Sequence, residues 1–172
     1  MKLERPLLGE RIVIRDYTQE DLPFSTDMWF DPENGRYMSD PTAEYVDEVY
    51  QRALDGLQDS KEGYYLIVEL RSSGERIGTC CVFPDKGVYD IGYCIHKSRW
   101  KQGFGTEVVN LLVNWVRKQG GTAVTAEAAK DNRASCALLE KCGFTVMRES
   151  SFKKYHMDVT FASFIYEKKL QP

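Results

Sequence analysis

The sequence contains little of what metal sites and disulfide-stabilised folds require. It has only two histidines in 172 residues, His96 and His156, which are far apart and lack the spacing of metal ligands. We therefore predict no metal site. The five cysteines are odd in number and form no Cys-x-x-Cys pair. This usage indicates reduced thiols in a cytoplasmic protein.

Long apolar runs and an excess of positive charge are also missing. The first nine residues are charged and short of apolar side chains, which argues against a signal peptide, and no apolar run approaches the length of a membrane span. Lys and Arg number 23 against 26 Asp and Glu, a net charge of −3, so neither nucleic acid nor a membrane is an expected partner. Without a linker or an internal repeat, we expect one domain over residues 1–172 and a cytoplasmic location.

Hydrophobic periodicity predicts an α/β fold built on a mixed sheet. Strands are predicted at 11–17, 64–70, 76–83, 88–96, 122–128, 146–150 and 161–166. Helices are predicted after Thr18, from Pro41-Thr42, and at 106–118 and 133–141. Short turns join the strands between 64 and 96 into an antiparallel meander, whereas the passage through the 106–118 helix makes its two flanking strands parallel neighbours. The expected sheet is mostly antiparallel, with six to seven strands and about four helices.

A glycine-containing loop runs from Trp100 to Thr106, between a predicted strand and an amphipathic helix. Glycine lets the backbone approach a ligand closely, and the N-terminus of a helix presents unpaired N–H groups to an anion. The loop lacks the Gly-Lys-Ser/Thr ending of a Walker motif and the third glycine of a Rossmann fingerprint. It therefore indicates either a phosphate site or a simple turn from strand to helix.

A second segment runs from Asn132 to Phe144 and contains a short helix that ends at Gly143. Asn132 and Ser135 are three residues apart at the start of this helix, so their side chains lie on one side. Both residue types are also favoured there as local helix caps. A binding role and a capping role therefore stay open for this pair.

Together with two further segments, these motifs resemble the GNAT acetyltransferase superfamily, and within it the RimJ/RimL branch of ribosomal-protein N-terminal acetyltransferases. The four matching segments, in order, are 7–15 (LLGERIVIR), 90–95 (DIGYCI), 100–107 and 132–144. Trp100 stands where the superfamily usually has Gln or Arg, and an aromatic residue there is typical of this branch. The resemblance covers residues 7–168 and is weakest between 24 and 62.

The resemblance implies the GNAT fold, with a splayed central pair of strands that binds acetyl-coenzyme A (acetyl-CoA). The N–H near Ile95 would hold the thioester carbonyl and stabilise the developing oxyanion. The N–H groups from Gln102 to Thr106, those of Gly103, Phe104 and Gly105 included, would hold the pyrophosphate. Asn132 would bind the pantetheine arm, and Lys101 would either add charge nearby or be an ordinary surface lysine.

The resemblance also implies direct attack of a neutral amine on the thioester. Ser135 matches the position that some RimL-like enzymes use as the acid for the departing thiolate. Asp90 is the candidate base, acting through water, because this branch often has Glu or Asp there. Glu127 is the second candidate base, and an exposed carboxylate without a catalytic role is the alternative for Asp90.

The acceptor is expected to be a primary amine, and a peptide or protein N-terminus is favoured. An α-amine has a pKa near 8, whereas that of a lysine lies near 10.4, so a weak base suits the α-amine better. A small amine such as a polyamine or an aminoglycoside is one alternative, and a non-catalytic sensor of acyl-CoA is another. Homodimers are common in this family, so a second copy of the chain is a further expected partner.

Overall fold

The computed structural model describes residues 1–170 and contains eight strands and four α-helices in that range. The strands are β1 (Leu7–Leu8), β2 (Ile12–Asp16), β3 (Tyr64–Leu70), β4 (Arg76–Asp85), β5 (Val88–Ile95), β6 (Ala123–Ala129), β7 (Thr145–Lys153) and β8 (Thr160–Lys169). The helices are α1 (Leu22–Trp29), α2 (Glu48–Asp55), α3 (Phe104–Lys118) and α4 (Arg133–Lys141).

All eight strands form one mixed sheet in the order β1-β2-β3-β4-β5-β6-β8-β7. The predicted fold class is confirmed, and the sheet has one strand more than the upper end of the predicted count of six to seven. The missing strand is β1, which is two residues long and pairs antiparallel with β2 through Leu7 and Leu8. Two residues are too few for the alternation of polar and apolar side chains to show in a sequence.

The second helix begins later than its sequence pattern suggests. Prediction placed its start near Thr42, but residues 43–45 form only one turn of 3-10 helix and α2 begins at Glu48. The carboxylate of Asp47 accepts the N–H of Tyr50 at 2.8 Å, which caps the helix at that point.

The core lies between the sheet and the face formed by α3 and α4. Helix α3 buries a wide apolar stripe against β5, and most of its buried residues are β-branched or leucine: Val108, Val109, Leu112, Val113 and Val116. Helix α4 adds Leu139, which is fully buried. Helix α1 and the loop after it lie on the other face, where Trp29 bonds to Thr79 of β4 and Asn34 contacts Cys94 of β5.

The sheet opens between its two central strands. Strands β5 and β6 pair in parallel at only three positions, Val88–Asp90 with Ala123–Thr125. Beyond the pair Asp90 and Thr125, β5 continues to Ile95 and β6 to Ala129 without pairing to each other. The predicted splayed pair is thus present, and it leaves a wedge-shaped gap that widens toward the carboxyl ends of both strands.

None of the helices within residues 1–170 is both long enough and apolar enough to cross a membrane. Over the same residues, no group of three or more His, Cys, Asp or Glu side chains is arranged to hold a metal ion.

Candidate active site

Unpaired backbone groups line both edges of the gap. On the β5 side, the His96 N–H donates to the Ile77 carbonyl of β4 at 2.8 Å. In an antiparallel pair, the N–H groups of successive residues point alternately toward the neighbouring strand and away from it. Tyr93 and Ile95 therefore direct their N–H groups away from β4 and into the gap. On the β6 side, the Lys130 N–H donates to the Ala162 carbonyl, so by the same alternation the N–H groups of Glu127 and Ala129 point away from β8 and into the gap.

The side chains of β5 alternate between the two faces of the sheet. Tyr89 packs against Trp115 of α3, and the Tyr93 hydroxyl reaches Ser135 of α4. Asp90, Gly92 and Cys94 consequently lie on the opposite face, which is covered by α1 and the following loop. We call this the α1 face.

Two carboxylates lie on the α1 face where the gap begins. The Thr125 hydroxyl donates to Asp90 at 2.7 Å, and the hydroxyl of the fully buried Ser163 donates to Glu127. Asp90 is exposed to solvent, yet partial desolvation and the nearby charge of Glu127 raise its pKa, although the bond from Thr125 opposes this. The structure thus brings both predicted base candidates together, and Thr125 and Ser163 are additional polar residues that the sequence did not single out.

The glycine loop presents a bare helix terminus next to the gap. Gly103 has φ 82° and is the N-cap of α3, and no side chain caps the first turn. The first N–H groups of α3, from Phe104 to Thr106, therefore lack intrahelical partners and point out of the helix end. Lys101 is exposed and has φ 60°, a conformation in which glycine is far more common.

Arg11 holds this loop in place, a contact that local sequence patterns do not reveal. Its guanidinium donates to the Gln102 carbonyl at 2.9 Å and to the Glu107 carboxylate at 2.9 Å, and it lies 4.3 Å above the Phe104 ring. The contact joins residues more than 90 positions apart, so only the fold brings them together.

The start of α4 shows the capping role that its sequence allowed, and the binding role stays a prediction. The Asn132 side chain caps the helix by accepting the Ser135 N–H at 3.2 Å. The hydroxyls of Ser135 and Tyr93 are 2.8 Å apart, so Ser135 faces β5 across the gap. Burial raises the pKa of Tyr93 to about 12, and its hydroxyl therefore keeps its proton at neutral pH.

The wide end of the gap is closed on the α1 face by the loop after α1. The Asn34 side chain donates to the Ile95 carbonyl at 3.1 Å, and the Trp100 indole donates to the same carbonyl at 2.8 Å. These bonds fix the end of β5 and leave the Ile95 N–H facing the gap. Of the predicted residues, Asp90, Ile95, Asn132 and Ser135 surround one gap, and the loop from Lys101 to Thr106 adjoins it.

Comparison with known proteins places the chain in a family. A model described as an acetyltransferase (GNAT) domain matches residues 11–145. An uncharacterized N-acetyltransferase, p20 of Bacillus licheniformis, is 24% identical over 144 residues, which is 80% of this chain and 81% of that protein.

Solved structures with different substrates share the fold. A spermidine N-acetyltransferase of Vibrio cholerae, in complex with CoA and spermine, has a TM-score of 0.75 at 15% identity and covers 94% of this chain and 96% of its own. A ribosomal-protein-S5-alanine acetyltransferase of Vibrio fischeri has a TM-score of 0.71 at 15% identity, and the match covers 96% of this chain and 97% of that protein. The chain, whose family model matches most of its length, belongs to the GNAT acetyltransferase family and is an N-acetyltransferase.

Proposed function

We propose that this protein transfers the acetyl group of acetyl-CoA to the α-amine of a peptide or protein by direct attack. The observation that carries the proposal is the gap between β5 and β6, which has unpaired N–H groups on its edges and the uncapped start of α3 beside it. An extended ligand with amides at one end and phosphates at the other matches this arrangement.

Acetyl-CoA, the donor that GNAT acetyltransferases use, fits these groups. The N–H groups from Gln102 to Thr106 hold its pyrophosphate at the helix terminus, and the exposed Lys101 adds positive charge. The amides of the pantetheine arm bond to the edges of the gap and to Asn132. The Ile95 N–H holds the thioester carbonyl, and the Tyr93 N–H, which also points into the gap two residues earlier, is a donor for an amide of the pantetheine arm.

Asp90 and Ser135 carry the two proton transfers in this proposal. Asp90 takes a proton from the attacking amine through a water molecule, and its raised pKa makes it a better base than an ordinary carboxylate. Glu127 is the alternative base on the same face. Ser135 gives its proton to the departing thiolate, and the bond to Tyr93 orients the Ser135 hydroxyl.

A polyamine is the second candidate acceptor. Asp90 and Glu127 lie on one face of the sheet, and two neighbouring carboxylates favour a cationic acceptor. The protein of Vibrio cholerae that shares this fold is a spermidine acetyltransferase. We further propose that the chain acts as a single domain in the cytoplasm and forms a homodimer.

Release of thiol from acetyl-CoA against a panel of amines tests the proposal. The panel contains peptides with Ala or Ser at the N-terminus, spermidine, an aminoglycoside and free amino acids. We expect turnover with the peptides and a loss of at least about 100-fold in Asp90→Asn and in Ser135→Ala, as is usual for a lost acid or base. Binding of acetyl-CoA without turnover of any amine would support a sensor, and absence of binding would refute the proposal.

A further inference from the structure

A cavity of about 320 Å³ lies on the α1 face, next to the wide end of the gap. One wall is Trp29, whose indole donates to Thr79, the residue paired with Cys94 on β5. The opposite wall is Phe161 of β8, two residues before Ser163 and therefore on the same face. The cavity is thus lined by residues from both sides of the gap, Trp29 above the β4–β5 side and Phe161 on the β8 side.

A buried lysine lines this cavity. Lys154 is only 6% exposed, and its ammonium donates to the carbonyls of Gly35 and Asp40 at 2.8 and 2.9 Å. An ammonium has three donors, so one remains available. Among residues 1–170, no carboxylate oxygen lies within 4 Å of this nitrogen, although the Asp40 carboxylate, which accepts a hydrogen bond from Tyr50, acts on it from farther away. A buried ammonium whose counter-charge lies beyond ion-pair distance is incompletely compensated, so an anion at its remaining donor stabilises it.

Arg36 is a second cation that lines the same cavity. Arg36 is exposed, and its guanidinium lies 5.2 Å from the centre of the Tyr37 ring. The one carboxylate in the cavity lining, Asp31, is already neutralised by Lys97 at 3.0 Å. The remaining charge of the lining is therefore positive, between walls that include Pro32, Met157 and Val159.

We propose that this cavity binds a carboxylate of the acceptor through Lys154 and Arg36. The inference rests on the proposed function and narrows its substrate class to amines that also carry a carboxylate. The two ends of the site are then complementary to such an acceptor, because Asp90 and Glu127 lie at the amine end and the two cations at the other. Arginine and lysine both form strong charge-assisted hydrogen bonds with carboxylates.

Matched peptides test the inference. Ala-Ala-Ala amide has no carboxylate, the free acid of the same peptide has one at its C-terminus, and Ala-Glu-Ala amide and Ala-Ala-Glu amide carry one on a side chain. We expect at least one carboxylate peptide to exceed the neutral amide about tenfold in kcat/KM, and the better of them identifies the source of the carboxylate. In Arg36→Gln and in Lys154→Met, that ratio should fall to about threefold or less.

Arg117→Gln, at an exposed position near the end of α3, is the control and should keep the full ratio. Lys154 also links two loops, so Lys154→Arg, which keeps the charge, accompanies Lys154→Met, and thermal unfolding of each variant monitors the fold. Arg36 is exposed and makes no such link. If Lys154→Met does not fold, the peptide ratio measured in Arg36→Gln therefore tests the inference.

Calorimetry provides a readout independent of turnover. The acetylated peptide acids should bind the wild-type protein about tenfold more tightly than the acetylated amide, and Arg36→Gln should remove the difference. If the neutral amide is acetylated as well as every carboxylate peptide and binding shows no difference, the inference is wrong and the proposed function stands. If no peptide is acetylated but the acids still bind selectively, the carboxylate site stands and the proposed function is wrong.

Discussion

Replacing Tyr93 by phenylalanine removes one hydroxyl at the point where β5 meets the start of α4. The lost contact is the 2.8 Å hydrogen bond to Ser135, the proposed acid. Burial raises the pKa of Tyr93 to about 12, so its hydroxyl is protonated at neutral pH and is able to donate to Ser135 in the proposed reaction. The Ser135 proton is then free to point toward the departing thiolate.

The size of the effect follows from the type of bond. A hydrogen bond between two neutral groups contributes about 0.5–1.5 kcal/mol, which corresponds to a loss of roughly 2- to 12-fold in kcat if the bond acts only by orienting Ser135. Removing the proposed acid itself, in Ser135→Ala, should lower kcat about 100-fold or more. Because Tyr93 acts through Ser135, the double variant should match Ser135→Ala within about twofold.

The assay is steady-state thiol release at saturating acetyl-CoA for both single variants and the double variant. Tyr89→Phe is the matched control, since Tyr89 lies on the same strand and face but packs against Trp115. It should keep kcat within about twofold. Additive losses in the double variant would show that Tyr93 acts independently of Ser135 and would refute the positioning role.

Three further perturbations test other parts of the structure. Gly103→Ala and Gly120→Ala place an alanine at φ 82° and 78°, so each variant should lose about 1 kcal/mol of stability and 2–4 °C in Tm. Only Gly103→Ala, at the proposed pyrophosphate site, should also weaken CoA binding in calorimetry. Thr125→Val removes a bond that lowers the pKa of Asp90, so the acidic limb of the kcat/KM profile should move to higher pH; an unmoved limb would argue against Asp90 as the base. Asp21→Asn should lower the free energy of unfolding in denaturant by about 2–3 kcal/mol. Because the pKa of Asp21 is lowered in the folded protein, this difference from the wild-type protein should shrink as the pH falls below the ordinary carboxyl value of 3.8.

The reason for the lowered pKa of Asp21 is a balance of two opposing effects. Burial on its own raises the value, since the side chain is almost fully enclosed. Two hydrogen bonds from Arg15 and others from Thr18 outweigh it. The carboxylate is thus stabilised only in the folded protein, which is why its contribution is present above the unfolded pKa and is lost in acid.

Local signals predicted most of the fold. Helix α4 was predicted at its observed limits, Arg133–Lys141, because Asn132 is a strong N-cap and Gly143 a strong stop. The glycine loop was predicted for a similar reason, since Gly103 supplies the positive φ that the start of α3 requires. These features depend on neighbouring residues and are therefore readable from one sequence.

The contacts that complete the candidate site are long-range and were missed. Arg11 clamps a loop more than 90 residues away, and Lys154 bonds to carbonyls of a loop 114 and 119 residues earlier. Arg11 lies in the matching segment 7–15 but its partner there is not readable from spacing, and Lys154 stands in no motif, so an ordinary surface cation is the usual interpretation of both. Only the folded sheet shows that Lys154 is buried and borders a cavity.

One part of the site arrangement follows from strand alternation alone. Odd-numbered residues of β5 face α3 and α4, so Tyr93 reaches Ser135, whereas even-numbered residues face α1, so Asp90 lies on the other side. In the proposed reaction the acid for the thiolate and the base for the amine are then separated by the thickness of the sheet. Direct attack is compatible with such a separation, because the amine adds from one face of the planar thioester and the thiolate leaves the tetrahedral intermediate along a different bond. A continuous sheet would block that path, and the loss of pairing after Asp90 and Thr125 opens it.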